Sequence, residues 1–216
     1  MKVFKSAVEY IDHMGTDKTV VNAARVSFGA DDISSNMSDR DEKLIKYLAT
    51  NNHWSPFAHT SIQLKIKAPI FVARQLVKHQ VGGVWNEISR RYVSFEPEFH
   101  KIDTVRGKPE NAKQGSSGEI DTKFIDVIYK SFSQSLDIYN ELLAAGAAPE
   151  QARMVLPLGS MTDWYWTGSL VFWQRVCQLR MDSHSQMETS EVAQKISNIC
   201  SEMFPISWKY LTQMNQ

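Results

Sequence analysis

One run of this chain constrains its fold more than any other. Between Thr60 and Lys67, Ile62, Leu64 and Ile66 alternate with Gln63, Lys65 and Lys67, the period of a strand buried on one face. Pro69 then suits the first turn of a helix. Along that helix Val72, Ala73, Leu76 and Val77 share one face, while Arg74, Gln75, Lys78 and His79 share the other. Beyond it, Glu87, Ser89 and Arg91 alternate with Ile88, Arg90 and Tyr92, so the first three project from one side of a second strand. A strand and a helix with apolar backs thus deliver the polar heads of residues 78–92 to one place. So many hydrogen-bonding groups together point to an anionic, hydrogen-bond-rich ligand.

The rest of the chain supplies mostly helices. Residues 1–8 read as a first strand, residues 19–27 as a short helix and residues 29–36 as polar and turn-rich. Ser38 and Asp41 form a capping-box pair ahead of Leu44, Ile45 and Leu48, which predicts a helix over about residues 39–50 ended by Asn51, Asn52 and His53. Residues 101–119 are polar and aperiodic, with three glycines, and read as a mobile insertion or lid. Ile125, Ile128, Phe132, Leu136, Tyr139 and Leu143 mark a long amphipathic helix that Gly146 stops. Pro149 opens a short helix that carries Arg153 and ends at Pro157. Ser160 and Asp163 predict the cap of a tryptophan-rich helix running to about Arg180. A last helix spans about residues 186–203 through Val192, Ile196, Ile199 and Met203. Many helices and few strands place the chain in the α+β class, as one domain of 216 residues.

Charge narrows the function. Lys and Arg total 24 and Asp and Glu total 24, so no global field draws in nucleic acid or an acidic membrane. Any anion site is a local cluster of cations, which suits a small ligand. Cys177 and Cys200 are the two cysteines. That excludes a disulfide scaffold and a cysteine-rich zinc site, and fits a reducing cytoplasm. Residues 1–12 have no signal-peptide core and no window approaches a membrane span, so the chain reads as a soluble cytoplasmic protein.

Neither GxxxxGK[ST] nor GxGxxG occurs, which argues against a P-loop or a standard dinucleotide fold. Gly82-Gly83 reads as a plain turn. His53 and His59 lack a carboxylate or cysteine at metal-ligand spacing, so no metal site is assigned. Ser89 has no G-x-S-x-G surroundings, and among arginines it reads as a phosphate donor rather than a nucleophile. Arg180 follows Trp164, Trp166, Phe172 and Trp173, and precedes Asp182, Ser183, His184 and Gln186; if buried there it needs a partner. The aromatic stripe itself reads as core. The residues alone therefore point to a site for a phosphorylated small molecule.

Six pieces in order then identify a family resemblance. They are AARVSF from Ala23, HWSPFAH from His53, APIFVARQ from Ala68, residues 78–92, ARMVLP from Ala152 and LRMDSHSQ from Leu179. Together they resemble the flavin-dependent thymidylate synthases over nearly the whole chain. The resemblance implies an antiparallel sheet flanked by several helices, and a homotetramer whose sites are shared between subunits. It implies reductive methylation of dUMP to dTMP, with methylenetetrahydrofolate as carbon donor and NADPH as hydride source through FAD. By position, Arg180 is implied as the catalytic residue beside the uracil ring and Gln75 as the residue that orients the base. Ser89, Arg90, Arg91 and Arg153 are implied as the phosphate cradle, Glu87 as the carboxylate near sugar and flavin, and Lys78 as a further nucleotide contact. His53, Ser55, Lys78, His79, Gln80, Glu87, Ser169 and Arg175 stand where the family holds FAD.

The chain also departs from that pattern. The family has Arg-His-Arg, seven residues and then serine; here Lys78-His79-Gln80 is followed by eight residues before Ser89. Ser169, Val171 and Ala58 stand where asparagine, arginine and glutamate are common. A lysine lacks an arginine's bidentate fork, so a reshaped loop over flavin or folate is expected. Two alternatives accompany the main reading: a sister enzyme that methylates dCMP or adds a hydroxymethyl group, and a nucleotide-binding protein without catalysis.

Overall fold

The computed structural model describes residues 1–29, 36–93, 95–110 and 115–213. Most of the turn-rich segment 29–36, and residues 111–114 of the polar insertion, lie outside that set. The strands are β1 (Lys2–Phe4), β2 (Ala7–Met14), β3 (Ser61–Pro69), β4 (Gly83–Glu87), β5 (Glu98–His100), β6 (Arg106–Gly107), β7 (Ser117–Glu119) and β8 (Met161–Gly168). The helices are α1 (Asp17–Arg25), α2 (Asp39–Thr50), α3 (Ile70–Leu76), α4 (Lys123–Ala144), α5 (Pro149–Ala152), α6 (Leu170–Arg180), α7 (Met187–Met203) and α8 (Pro205–Gln213). Among the described residues, no helix is long and apolar enough to cross a membrane.

A four-stranded antiparallel sheet in the order β2-β3-β8-β4 carries the fold. Strand β3 is the strand that the alternation predicts: Ile62, Leu64, Ile66 and Ala68 are fully buried, and each large side chain contributes about 1.5–3 kcal/mol by leaving water. Pro69 closes that strand and caps α3 from outside, rather than sitting in its first turn. The N-terminal strand expected over residues 1–8 is in fact two. β1 pairs in parallel with β5, and β2 forms the sheet edge.

The tryptophan-rich segment corrects the sequence reading. Residues 161–168 form β8 instead of the first turns of a helix, and α6 begins only at Leu170. The reason is visible in the side chains. Trp164 and Trp166 are buried while Tyr165 between them is exposed, which is a strand's period of two. β8 hydrogen-bonds β3 on one edge and β4 on the other, and that pairing outweighs the local cap signal. Ser160 does not cap a helix; its carbonyl accepts the N–H of Ile70 at 2.9 Å. Ser169 caps α6, accepting from the N–H of Phe172 at 3.4 Å.

Helices α6 and α7 cover the sheet and contribute Trp173, Val176, Val192 and Ile196 to the core. Cys177 and Cys200 lie buried in it, and burial pushes both thiols up from their ordinary range. The capping box of α2 forms as predicted: Ser38 Oγ accepts from Asp41 N–H at 3.3 Å, and Asp41 Oδ2 from Ser38 N–H at 2.9 Å. α8, which periodicity missed, is held by Asp17 of α1. Its carboxylate accepts from Ile206 N–H at 3.0 Å and Ser207 N–H at 2.8 Å, at the positive end of the helix. A smaller core lies under α4, where Phe99 stacks on Phe132 with centroids 5.2 Å apart. α4 stops near Gly146, whose φ of +86° suits glycine.

Candidate functional site

The C-terminal end of α6 meets the segment after α3 at Arg180. Its Nε–H donates to His79 Nε2 at 2.9 Å and its Nη2 donates to the carbonyl oxygen of Gln75 at 2.9 Å. α3 ends at Leu76, so His79 lies beyond the helix on which its spacing had placed it, yet the chain still brings both residues to one guanidinium. The Gln75 side chain is held in turn: its Nε2 donates to Gln186 Oε1 at 2.5 Å, and its Oε1 accepts from Thr189 Oγ1 at 3.2 Å. Gln75, Arg180, Asp182, His184 and Gln186 line a cleft of about 370 Å³. Partial burial lowers the Arg180 pKa, and burial followed by the nearby Arg180 lowers that of His79. The cleft thus offers a positioned cation and amide to a flat polar ring.

β4 ends at Glu87, earlier than the alternation predicts. Ile88 N–H donates to Asp163 O at 2.9 Å, and the chain then turns, with Tyr92 N–H donating to Ser89 O at 2.9 Å. The turn separates what the alternation would have aligned. Glu87 Oε1 accepts from Thr162 Oγ1 at 2.7 Å and Oε2 from Trp85 Nε1 at 3.3 Å. Ser89 Oγ accepts from Arg91 N–H and from its Nε at 3.3 Å. Arg90 folds back, donating to Phe95 O at 2.7 Å with its guanidinium 4.6 Å from the Phe95 ring; burial lowers its pKa. Ser89 and the exposed Arg91 form one group, therefore, while Arg90 secures the turn that presents it. Arg153, exposed after α5, makes no hydrogen bond to either among the described residues.

The remaining candidates form two groups. His53 and Arg175 line a cleft of about 300 Å³ with Trp54, Gln174 and Gln178, and His53 meets Tyr47 edge-on at 5.7 Å. Ser55 is exposed beside them, and Ser169 caps α6. Lys78 and Gln80 are exposed on the loop that leads into β4. Gly82 in that loop has a φ of +85°, as a plain turn requires.

Sequence reasoning missed Thr162, Trp85, Gln186 and Thr189, which hold Glu87 and Gln75. Trp85 stacks on Trp164 at 4.4 Å and 19°. Its alternation with Glu87 along β4 was the signal that could have found it. The polar insertion is also more structured than expected: β6 pairs with β7, Arg106 bonds Glu188 of α7 at 2.5 Å, and Gly115 reaches the Arg180 cleft.

Residues 9–206 match the family model described as "Thymidylate synthase complementing protein". The chain is 38% identical over 205 residues to the flavin-dependent thymidylate synthase of Thermosipho africanus, covering 93% of this chain and 88% of that protein. It is 37% identical to the enzyme of that name from Thermus thermophilus, covering 94% of this chain and 74% of that protein. Its fold is similar to a UMP/dUMP methylase, PolB from Streptomyces cacaoi, bound with 5-Br dUMP. That match has a TM-score of 0.89 and 28% identity, and covers 100% of this chain and 98% of the other.

Proposed function

The chain belongs to the flavin-dependent thymidylate synthase family, and from that premise we propose how its own side chains serve the reductive methylation of dUMP to dTMP. The observation that carries the assignment is the pinned guanidinium of Arg180. Of its five N–H donors, two are engaged by His79 and Gln75, and the others serve the pyrimidine. There the cation offsets the negative charge that develops on the ring as its C5 becomes nucleophilic. Gln75, fixed by Gln186 and Thr189, orients the base. Ser89 and Arg91 bind the phosphate from one segment and Arg153 from another, with Lys78 alongside. Glu87, fixed by Thr162 and Trp85, stands at the sugar. Arg90 acts behind them by securing the turn.

The cofactor of this family is a flavin, and the donors present suit FAD. Arg175 and Lys78 are exposed cations for its pyrophosphate, and His53 and Trp54 are exposed rings for its planar parts; Ser55, His79, Gln80 and Ser169 are further polar groups offered to the same cofactor. When bound, FAD supplies the redox step, with methylenetetrahydrofolate as carbon donor and NADPH as hydride source. The protein binds, orients and excludes water.

Each site in this reading is completed between copies of a homotetramer. In support, Tyr92 beside Arg91 is 78% exposed and Met154 beside Arg153 is 75% exposed, apolar surface of the kind that a subunit contact covers.

The test is direct. Purified enzyme should show flavin absorbance and release tritium from C5-labelled dUMP when folate and NADPH are present. Product masses from dUMP, dCMP and UMP run side by side decide the substrate; UMP belongs in the set because of the similarity to PolB. A methylated or hydroxymethylated product from dCMP or UMP, with none from dUMP, would reassign it. Nucleotide binding without turnover, in protein that FAD cannot reconstitute, would leave only a binding function.

A further inference from the structure

The orientation of Arg180 depends on an acceptor that can titrate. A guanidinium remains protonated throughout the physiological range, so its Nε–H always donates. The 2.9 Å contact to His79 Nε2 therefore requires a lone pair on that nitrogen, which makes His79 a neutral imidazole with its proton on Nδ1. Protonating His79 would set N–H against N–H and one positive charge against another.

The surroundings favour the neutral form. His79 is half-buried, with the uncharged ring of Trp166 in β8 at 6.5 Å between centroids. From α6 it faces Arg180, and α3 contributes the Gln75 carbonyl to the same guanidinium. Burial and then Arg180 hold the His79 pKa below the ordinary histidine value. The other bond of Arg180, to a backbone carbonyl, cannot titrate. One fixed contact leaves the guanidinium free to swivel about it; two define its plane.

We infer that His79 is a positioning residue for Arg180, its neutral imidazole setting the plane that the guanidinium presents to the pyrimidine, so that protonation of His79 weakens nucleotide binding. This rests on the reading of the Arg180 cleft as the pyrimidine site. It assigns His79 a task apart from any contact with flavin, because the task acts through Arg180 and depends on tautomer.

The experiment measures dUMP affinity of the flavin-loaded enzyme by calorimetry between about pH 5.5 and pH 8, across the range where histidine titrates. It compares the wild type with His79→Gln, each with and without Arg180→Ala. Glutamine offers an acceptor oxygen that does not titrate. The dUMP phosphate titrates near pH 6 in every arm, so the difference between wild type and His79→Gln isolates the histidine. Wild type should lose about twofold to fivefold more affinity at the acid end than His79→Gln, and His79→Gln should change nothing further once Arg180 is alanine. Parallel pH curves, or an equal effect of His79→Gln with and without Arg180, would overturn the inference. Failure of wild type to bind dUMP at any pH would instead overturn the reading of the cleft. Should His79→Gln fail to fold, nitrogen-15 histidine spectra of the wild-type enzyme decide: at pH near 7.5 the His79 signal must be that of an unprotonated Nε2, and a protonated Nε2 refutes the proposal.

Discussion

Gly83 and Gly168 face each other across β4 and β8, and the ring of Phe172 lies over both. A Cβ built on Gly83 would meet Phe172 Cζ at 2.4 Å, and one on Gly168 would meet Cδ1 at 2.1 Å. The paired glycines make room for an aromatic ring at the mouth of the loop that holds Lys78, His79 and Gln80. The space beside Gly83 is thus filled by the core, which leaves it no role in cradling a ligand from that side.

Gly168→Ala should therefore destabilise the fold by about 1–3 kcal/mol, the usual cost of overpacking. Urea unfolding measures it. Adding Phe172→Leu should restore part of the loss, and an alanine as stable as wild type would mean that the ring moves aside freely.

Arg180→Ala should leave the circular dichroism spectrum unchanged, because the side chain sits at a helix end facing a cleft. Turnover should fall by about 10²–10³, the range for removing a group that stabilises developing charge. Wild-type turnover in this variant would refute its catalytic role.

Arg91→Ala removes the proposed phosphate partner and the hydrogen bond from its Nε to Ser89. dUMP binding should weaken by about 1.5–3 kcal/mol, read by calorimetry, while flavin content stays constant. Arg90→Ala should differ: its guanidinium holds the turn through Phe95, so the loss should appear in thermal stability as well as in affinity.

Asp41 sets an acid limit on stability. It is 1% exposed and pairs with Lys18 at 3.0 Å and Arg25 at 2.6 Å. Burial alone would raise its pKa, but the Ser38 N–H, Lys18 and Arg25 bring it down from 3.8 to about 2. A carboxyl depressed in the folded state adds stability above its unfolded pKa and loses it as pH falls toward the folded value. A contribution on the order of 2 kcal/mol should thus disappear between about pH 4 and pH 2. Asp41→Asn should destabilise at neutral pH by about 2 kcal/mol or more, since it takes a negative charge away from Lys18 and Arg25, and should flatten that acid limb. Thermal melts against pH measure both.

Residues whose signals are local were legible in the chain. The alternation from Ile62 to Ile66 identified β3, the Ser38-Asp41 pair opened α2, and the repeat from Ile125 to Leu143 marked α4. The same reading failed at Trp164 and Trp166. Their alternation was as regular as that of β3, but a serine and an aspartate at capping distance offered a helix as well. Only the flanking strands β3 and β4, distant in sequence, resolved the choice by bonding both edges.

The site divides along the same line. The sequence by itself supplied the candidates: Gln75, Glu87, Ser89, Arg91, Arg153 and Arg180 stood out by their types and by their places in the ordered family motifs, because side-chain chemistry belongs to the residue. Tertiary structure decided which of these groups act together. Arg180 meets His79 and Gln75 because α6 ends where α3 turns into the loop. Arg90 turns away from Arg91 because the chain leaves β4 at Glu87 and curls onto Phe95. Such choices come from hydrogen bonds and packing between segments far apart in the chain, and no local pattern encodes the partner.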